Sequence, residues 1–184
     1  FSSIVATNIR VSSATITWTT NELSDSQVEY GLTTAYGSLS AIDSSLAINH
    51  SVLLTGLLSN TTYHFRVRSK DAAGNIGVST LDSTFRTLIP PDTTAPTVSI
   101  TAPADGATVS GTVSITADTS DNVGVSQVQF KLDGALLAED TTSPFSFLWD
   151  TTVASNAGHT LTATALDAAG NSASHSVSVT VDNQ

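Results

Sequence analysis

Cysteine and methionine are both absent from the 184 residues. Without cysteine the chain has no disulfide, no zinc–thiolate or iron–sulfur ligand and no thiol nucleophile. Bases are scarce: six Lys and Arg stand against sixteen Asp and Glu, a net charge of −10 at pH 7. A broad phosphate-binding surface needs clustered Lys and Arg, so nucleic acid is excluded as a partner. No apolar run approaches the ~18 residues of a membrane span, so no membrane insertion is expected. Charged residues make up 12% of the chain and hydrophobic ones 40%, the reverse of the balance that keeps a segment disordered. The first residue is Phe1 rather than Met, and the chain is expected to be a processed product or an excised piece.

Helical periodicity is nearly missing as well, and alternation takes its place. Ala14, Ile16 and Trp18 alternate with Thr15, Thr17 and Thr19. Val28 and Tyr30 alternate with Gln27 and Glu29; Tyr63, Phe65 and Val67 with His64, Arg66 and Arg68. Further on, Val113 and Ile115 alternate with Ser114 and Thr116. Val128, Phe130 and Leu132 alternate with Gln127, Gln129 and Lys131, and Val177, Val179 and Val181 with Ser176, Ser178 and Thr180. Short period-two runs broken by Gly, Asn and Asp are half-buried antiparallel strands. The fold class is therefore all-β. About seven such strands in roughly 90 residues make a sandwich, and the chain holds two such lengths.

The break between the two lengths is visible in charge and in proline. Up to Leu88 there are five bases and six acids; from Ile89 onward there are ten acids and one base, Lys131. Ile89-Pro-Pro-Asp-Thr-Thr-Ala-Pro96 holds three of the five prolines. Proline fixes φ and lacks an N–H, so this stretch cannot join a central ladder and reads as a short stiff linker. The expected organisation is a domain at 1–88, a linker at 89–96 and a domain at 97–184. Each half carries the same turn, Asp71-Ala-Ala-Gly-Asn75 and Asp167-Ala-Ala-Gly-Asn171. Gly and Asn accept positive φ and Asp caps the turn, which suits a hairpin.

Ala14-Thr-Ile-Thr-Trp18-Thr, Ser26-Gln-Val-Glu-Tyr30-Gly, and Leu54-Thr-Gly-Leu57 with Thr62-Tyr63-His-Phe65-Arg-Val67 closely resemble a bacterial fibronectin type III domain over residues 1–88. The resemblance makes Trp18 the core tryptophan and pairs Leu57 with Tyr63 in a tyrosine corner. From Pro96 to Val181 the chain resembles a bacterial Ig-like domain. Thr97-Val-Ser-Ile-Thr-Ala-Pro103, Ser120-Asp-Asn-Val-Gly-Val125, Phe130-Lys-Leu-Asp-Gly134 and Trp149-Asp-Thr151 carry that match. The resemblance implies two tandem immunoglobulin-like β-sandwiches of the kind found in secreted glycoside hydrolases, adhesins, surface-layer proteins and filament subunits.

Catalytic signatures are wanting. None of His50, His64, His159 and His175 sits in a His-x-x-x-His or His-Glu pair, and they read as surface residues, His64 most clearly. There is no Gly-x-Ser-x-Gly elbow, phosphate loop or dinucleotide fingerprint. Glu139 and Asp140 are adjacent on a strand and so face opposite sides, a poor acid/base pair. The chain is expected not to be an enzyme.

Two clusters stand out as binding candidates. Asp118, Asp121 and Asn122 fall between two strands, and Asp167 and Asn171 between two others, at the same pole of an Ig-like sandwich. The linker with Asp92 arrives there too. Calcium takes about six to eight oxygen ligands, often from loops. Asp92, Asp118, Asp121, Asn122, Asp167 and Asn171 are therefore the candidate ligands of a Ca²⁺ at the domain junction, against the alternative that they cap their own turns. Arg66, Arg68 and Arg86 form a basic stripe on which a protein or sugar-acid partner could dock, against the alternative of cross-strand pairing with Glu29.

The sequence thus points to a non-catalytic, secreted, extracellular module that works as spacer, display or assembly unit at a bacterial cell surface, with a protein or cell-surface polysaccharide as partner. Two other readings stand beside it: an accessory module of a secreted polysaccharide-degrading enzyme, and a self-assembling filament or surface-layer subunit. For the last, the alternating run Ser172–Val181 is the expected edge strand.

Overall fold

In the computed structural model, which describes all 184 residues, each alternating run named above lies within a strand. The chain divides into two units, Phe1–Pro90 and Pro91–Gln184. The proline-rich residues Pro91–Pro96 belong to the second.

The first unit contains β1 (Ser2–Thr7), β2 (Ser13–Gly31), β3 (Ser38–Leu39), β4 (Asp43–Thr55), β5 (Thr62–Lys70), β6 (Ile76–Val78) and β7 (Ser83–Arg86). β2 serves both layers. Its residues up to Ser26 pair with β4, those up to Thr19 also with β1, and its last five residues, Gln27 to Gly31, pair with β5. β3 pairs with the end of β2, and β5 pairs onward with β6 and β7. The inward parity of these strands fills the core: Ala14, Ile16 and Trp18 from β2, Leu54 from β4, Phe65 and Val67 from β5 and Phe85 from β7 are all buried. Burying each large side chain is worth about 1.5–3 kcal/mol, which sets which face of each strand turns inward. Tyr63 closes the corner, its hydroxyl accepting the N–H of Leu58 at 2.9 Å.

His50 departs from the surface placement expected of the histidines. It is 3% exposed and stacks on Trp18, with ring centroids 4.8 Å apart and planes 10° apart. Its Nδ1 hydrogen-bonds with Ser26 Oγ at 2.8 Å and its Nε2 with Thr20 Oγ1 at 2.9 Å. A buried polar ring costs little when both nitrogens are satisfied, and here they are. The same segment buries Ser24, Asp25, Ser26 and Gln27 in a row. Asp25 is held by the backbone N–H of Lys70 at 2.6 Å and Gln27 donates to the carbonyl of Ser40 at 3.1 Å.

The second unit contains β8 (Thr97–Ala102), β9 (Ala107–Val109), β10 (Thr112–Ser120), β11 (Val125–Leu132), β12 (Ala135–Asp140), β13 (Phe145–Asp150), β14 (Gly158–Asp167) and β15 (Ser172–Val181). A three-stranded sheet, ordered β13-β10-β8, faces a five-stranded one, ordered β12-β11-β14-β15-β9. Trp149, Phe130, Ile115, Leu161 and Val179 are buried between them. The run Ser172–Val181 is not the edge it was expected to be: β15 lies between β14 and β9.

Candidate metal site

The second unit gathers three of its ten acids at one end of the sandwich, where the entering segment, the β10–β11 loop and the β14–β15 turn meet. β14 ends on Asp167, which opens the hairpin to β15. Its carboxylate accepts the backbone N–H of Asn171 at 2.8 Å on Oδ1 and the Asn171 side-chain amide at 2.7 Å on Oδ2. The turn of the first unit is built the same way, with Asp71 Oδ1 and Oδ2 taking the backbone and side chain of Asn75 at 2.8 and 2.7 Å. The repeated turn motif therefore encodes one repeated hydrogen-bond pattern. Burial pushes the Asp167 carboxyl up, and the bonds from Asn171 and the neighbouring backbone outweigh it, so the group sits below the usual carboxylate range. Asp71 is lowered chiefly by its bond from the Asn75 side chain.

The first unit ties Asp71 to Ser24 by a backbone bridge, but only in the second unit does the side chain of the turn's Asn reach beyond the turn. Asn171 Nδ2 also donates to the backbone carbonyl of Asp92 at 3.2 Å. Asp92 Oδ1 accepts the N–H of Thr94 at 3.0 Å and the side-chain amide of Asn122 at 3.3 Å. Asp121, in the loop between β10 and β11, uses Oδ2 to accept the N–H groups of Val123 and Gly124 at 2.8 and 2.7 Å. In Asp92 and Asp121, then, one oxygen fixes the loop and the other is left over. Those remaining oxygens, Asp92 Oδ2 and Asp121 Oδ1, are buried and have no hydrogen-bond partner. One carboxylate oxygen from each of Asp92, Asp121 and Asp167 lies within 4.8 Å of the others.

Buried anionic oxygens normally have donors or a cation beside them. Three carboxylates this close, two of them with a free buried oxygen, make a donor set of hard oxygens suited to a divalent cation such as calcium. Asn122 and Asn171 act as amide donors that orient the acids. Asp118 is not among the gathered acids. It lies on the exposed parity of β10, next to inward-facing Ala117 and opposite Ser99 of β8.

The basic stripe of the first unit has its charges engaged within the domain. Arg66 donates from Nε to Glu29 Oε2 at 2.6 Å, directly across the β2–β5 ladder, and Arg68 reaches Glu29 Oε1 at 3.9 Å. The Arg66 guanidinium stacks 4.7 Å over the Tyr36 ring, whose hydroxyl donates to Asp82 at 3.2 Å. Arg86 is exposed and donates to the carbonyl of Asn60 at 3.4 Å. Gly31 makes this arrangement possible: a Cβ there would stand 1.4 Å from the carbonyl oxygen of Tyr36.

Comparison with known proteins matches both units. The family described as Bacterial Ig domain matches residues 96–163. The family described as Purple acid Phosphatase, N-terminal domain, matches residues 3–87. Chitinase A1 of Niallia circulans is 37% identical over 131 residues, 68% of this chain and 18% of its own. Endoglucanase B of Cellulomonas fimi is 30% identical over 167 residues, 88% of this chain and 15% of its own. Among solved structures, the fibronectin(III)-like modules of Clostridium thermocellum CbhA are similar at 26% identity, covering 47% of this chain and 98% of theirs, with a TM-score of 0.40. The chain thus spans less than a fifth of the length of the curated relatives it matches.

Proposed function

From a chain that is a fibronectin type III-like domain followed by a bacterial Ig-like domain, we propose a non-catalytic accessory role beside the catalytic domain of a secreted polysaccharide-degrading enzyme. One observation carries this reading. The stretch shared with Chitinase A1 and Endoglucanase B takes up most of this chain and a small part of each relative, as a module of a longer protein does. No helix is long and apolar enough to cross a membrane. The direct test is to incubate the purified chain with chitin and cellulose and assay reducing ends, and to sequence the polypeptide that carries it in its own cell. The expected result is no release of reducing ends and a glycosidase domain on the same polypeptide. Hydrolysis by the isolated chain, or a parent protein without such a domain, contradicts the reading.

The acid cluster has a part in this role. Asp92, Asp121 and Asp167 hold a Ca²⁺, which offsets two of the three negative charges and locks the segment entering the Ig-like domain onto its loops. The support for this is the pair of buried, unpartnered oxygens on Asp92 and Asp121. An extracellular setting supplies the ion, and ion binding to the folded form alone stabilises it.

A further inference from the structure

β4 hydrogen-bonds to β2 on one side and to nothing on the other. At 13 residues it is the long free edge of the molecule; the other strands that end a sheet have six residues or fewer. Its pairing with β2 is regular from Asn49 to Thr55 and irregular only toward Asp43. Natural sheets blunt such edges with charge, proline, bulges or shortness, because a free ladder is a template for another strand. β4 carries no proline and one charged residue, Asp43, at its first position.

The surface along β4 is also apolar. Leu46 and Ile48 are 45% and 46% exposed and Leu53 is 62% exposed, on the opposite parity. They belong to a wider asymmetry. Fifteen of the nineteen exposed large apolar side chains lie in the first unit, while ten of the sixteen acids lie in the second. A chain with a net charge of −10 repels its own copies over much of its surface. The β4 edge carries a single acid, Asp43 at its first position, so a second copy can approach it with little of that repulsion.

We propose that β4 pairs with β4 of a second copy of this chain, antiparallel about a two-fold axis, extending the β1-β2-β4 layer across both molecules. Antiparallel order is dictated by Asp43: it puts the two carboxylates at opposite ends of the paired strands, whereas parallel order would stack them. A two-fold pairing uses the same patch on both copies and so closes at two. Cross-strand contact then covers Leu46 and Ile48 on one face and Leu53 on the other.

The absence of cysteine makes the test clean. Asn49→Cys, Ser51→Cys and Leu53→Cys are each made in the full chain, with Ser176→Cys on the exposed parity of β15 as control, and oxidised singly and in pairwise mixtures at rising concentration. Directly opposed residues in an antiparallel pair have Cα atoms about 4.5–5.5 Å apart, within disulfide reach. The expected result is a disulfide-linked dimer for the one variant, or the one mixture of two variants, whose positions face each other across the two-fold axis, formed at least tenfold faster than with Ser176→Cys. Sedimentation of the unmodified chain is expected to give a concentration-dependent dimer, weakened at least tenfold by Leu53→Lys with the melting curve retained. A mass of one chain at every concentration overturns the proposal. So does a dimer that survives Leu53→Lys and Ile48→Lys, or coupling no faster at β4 than at the control; a β4 edge filled only by a different polypeptide would appear as the first of these.

Discussion

Asn171 ties two distant parts of the chain together: its side-chain amide reaches the carboxylate of Asp167 at 2.7 Å and the backbone carbonyl of Asp92 at 3.2 Å. Its counterpart Asn75 holds Asp71 alone at 2.7 Å. The same asparagine is thus a local cap in one domain and a long-range fastener in the other.

That difference sets the first prediction. Asn75→Ala removes a partner from an exposed turn and is expected to cost about 0.5–1 kcal/mol. Asn171→Ala also frees the Asp92 carbonyl and leaves Asp167 buried with fewer donors, and is expected to cost about 2 kcal/mol or more. Denaturant unfolding of the two variants measures both; equal costs would mean that the bond to Asp92 contributes nothing.

The two tryptophans give a second contrast. Trp18 donates its indole N–H to Ser69 Oγ at 3.2 Å, whereas the Trp149 indole N–H is buried with no partner. Trp18→Phe leaves the Ser69 hydroxyl buried and short of a partner, while Trp149→Phe removes a polar group that was already unpaired. Both lose packing. The expected outcome is that Trp18→Phe destabilises its domain by about 1 kcal/mol more than Trp149→Phe does, measured by urea unfolding. A larger cost for Trp149→Phe would contradict the assignment.

Acidification should move the two domains in opposite directions. Burial lowers the pKa of His50, against the pull of Asp25 and Asp43, so the folded state prefers the neutral ring. Its contribution is present above the ordinary histidine pKa of about 6.5 and lost as pH falls below it. His159 is the reverse. Its Nδ1 bonds Asp133 Oδ2 at 2.6 Å and its Nε2 bonds the carbonyl of Ser155 at 2.9 Å, and these, the aspartate first, raise its pKa. Its contribution is complete below about 6.5 and lost as pH rises through the elevated value. Calorimetry from pH 8 to 5.5 is expected to show the fibronectin-like transition falling and the Ig-like one rising, with His50→Gln and His159→Gln each flattening its own curve. Parallel shifts that both variants leave intact would contradict it.

Much of the fold can be read from parity alone. Val177, Val179 and Val181 alternate and are buried; Asp167-Ala-Ala-Gly-Asn171 spells out its own turn. Two features escape such reading. Ser24 to Gln27 are polar in sequence and buried in space, because their partners at Ser40, His50 and Lys70 lie far along the chain. His50 follows from the same cause: its place beside Trp18 is set by the β2–β4 register, in which the two are directly paired. At the acid cluster, residue type and loop position pointed to Asp92, Asp121 and Asp167. Parity could have removed Asp118, since Ala117 beside it faces the core. That one oxygen of each of Asp92 and Asp121 is left over is a matter of turn geometry, which spacing does not reveal.

Calcium binding at this cluster can be read directly, because each domain has one tryptophan and Trp149 alone reports on the Ig-like one. In the Trp18→Phe chain, the melting of the Ig-like domain is followed by Trp149 fluorescence with EDTA and with rising Ca²⁺. At about a hundredfold excess over Kd the ion adds about 2.7 kcal/mol, several degrees for a domain of this size. Asp121→Asn should abolish that rise, and in EDTA it should melt no lower than its parent, because one of three crowded charges is gone. A melting temperature indifferent to both Ca²⁺ and EDTA, with Asp121→Asn merely destabilising, would make these acids turn caps and contradict the claim.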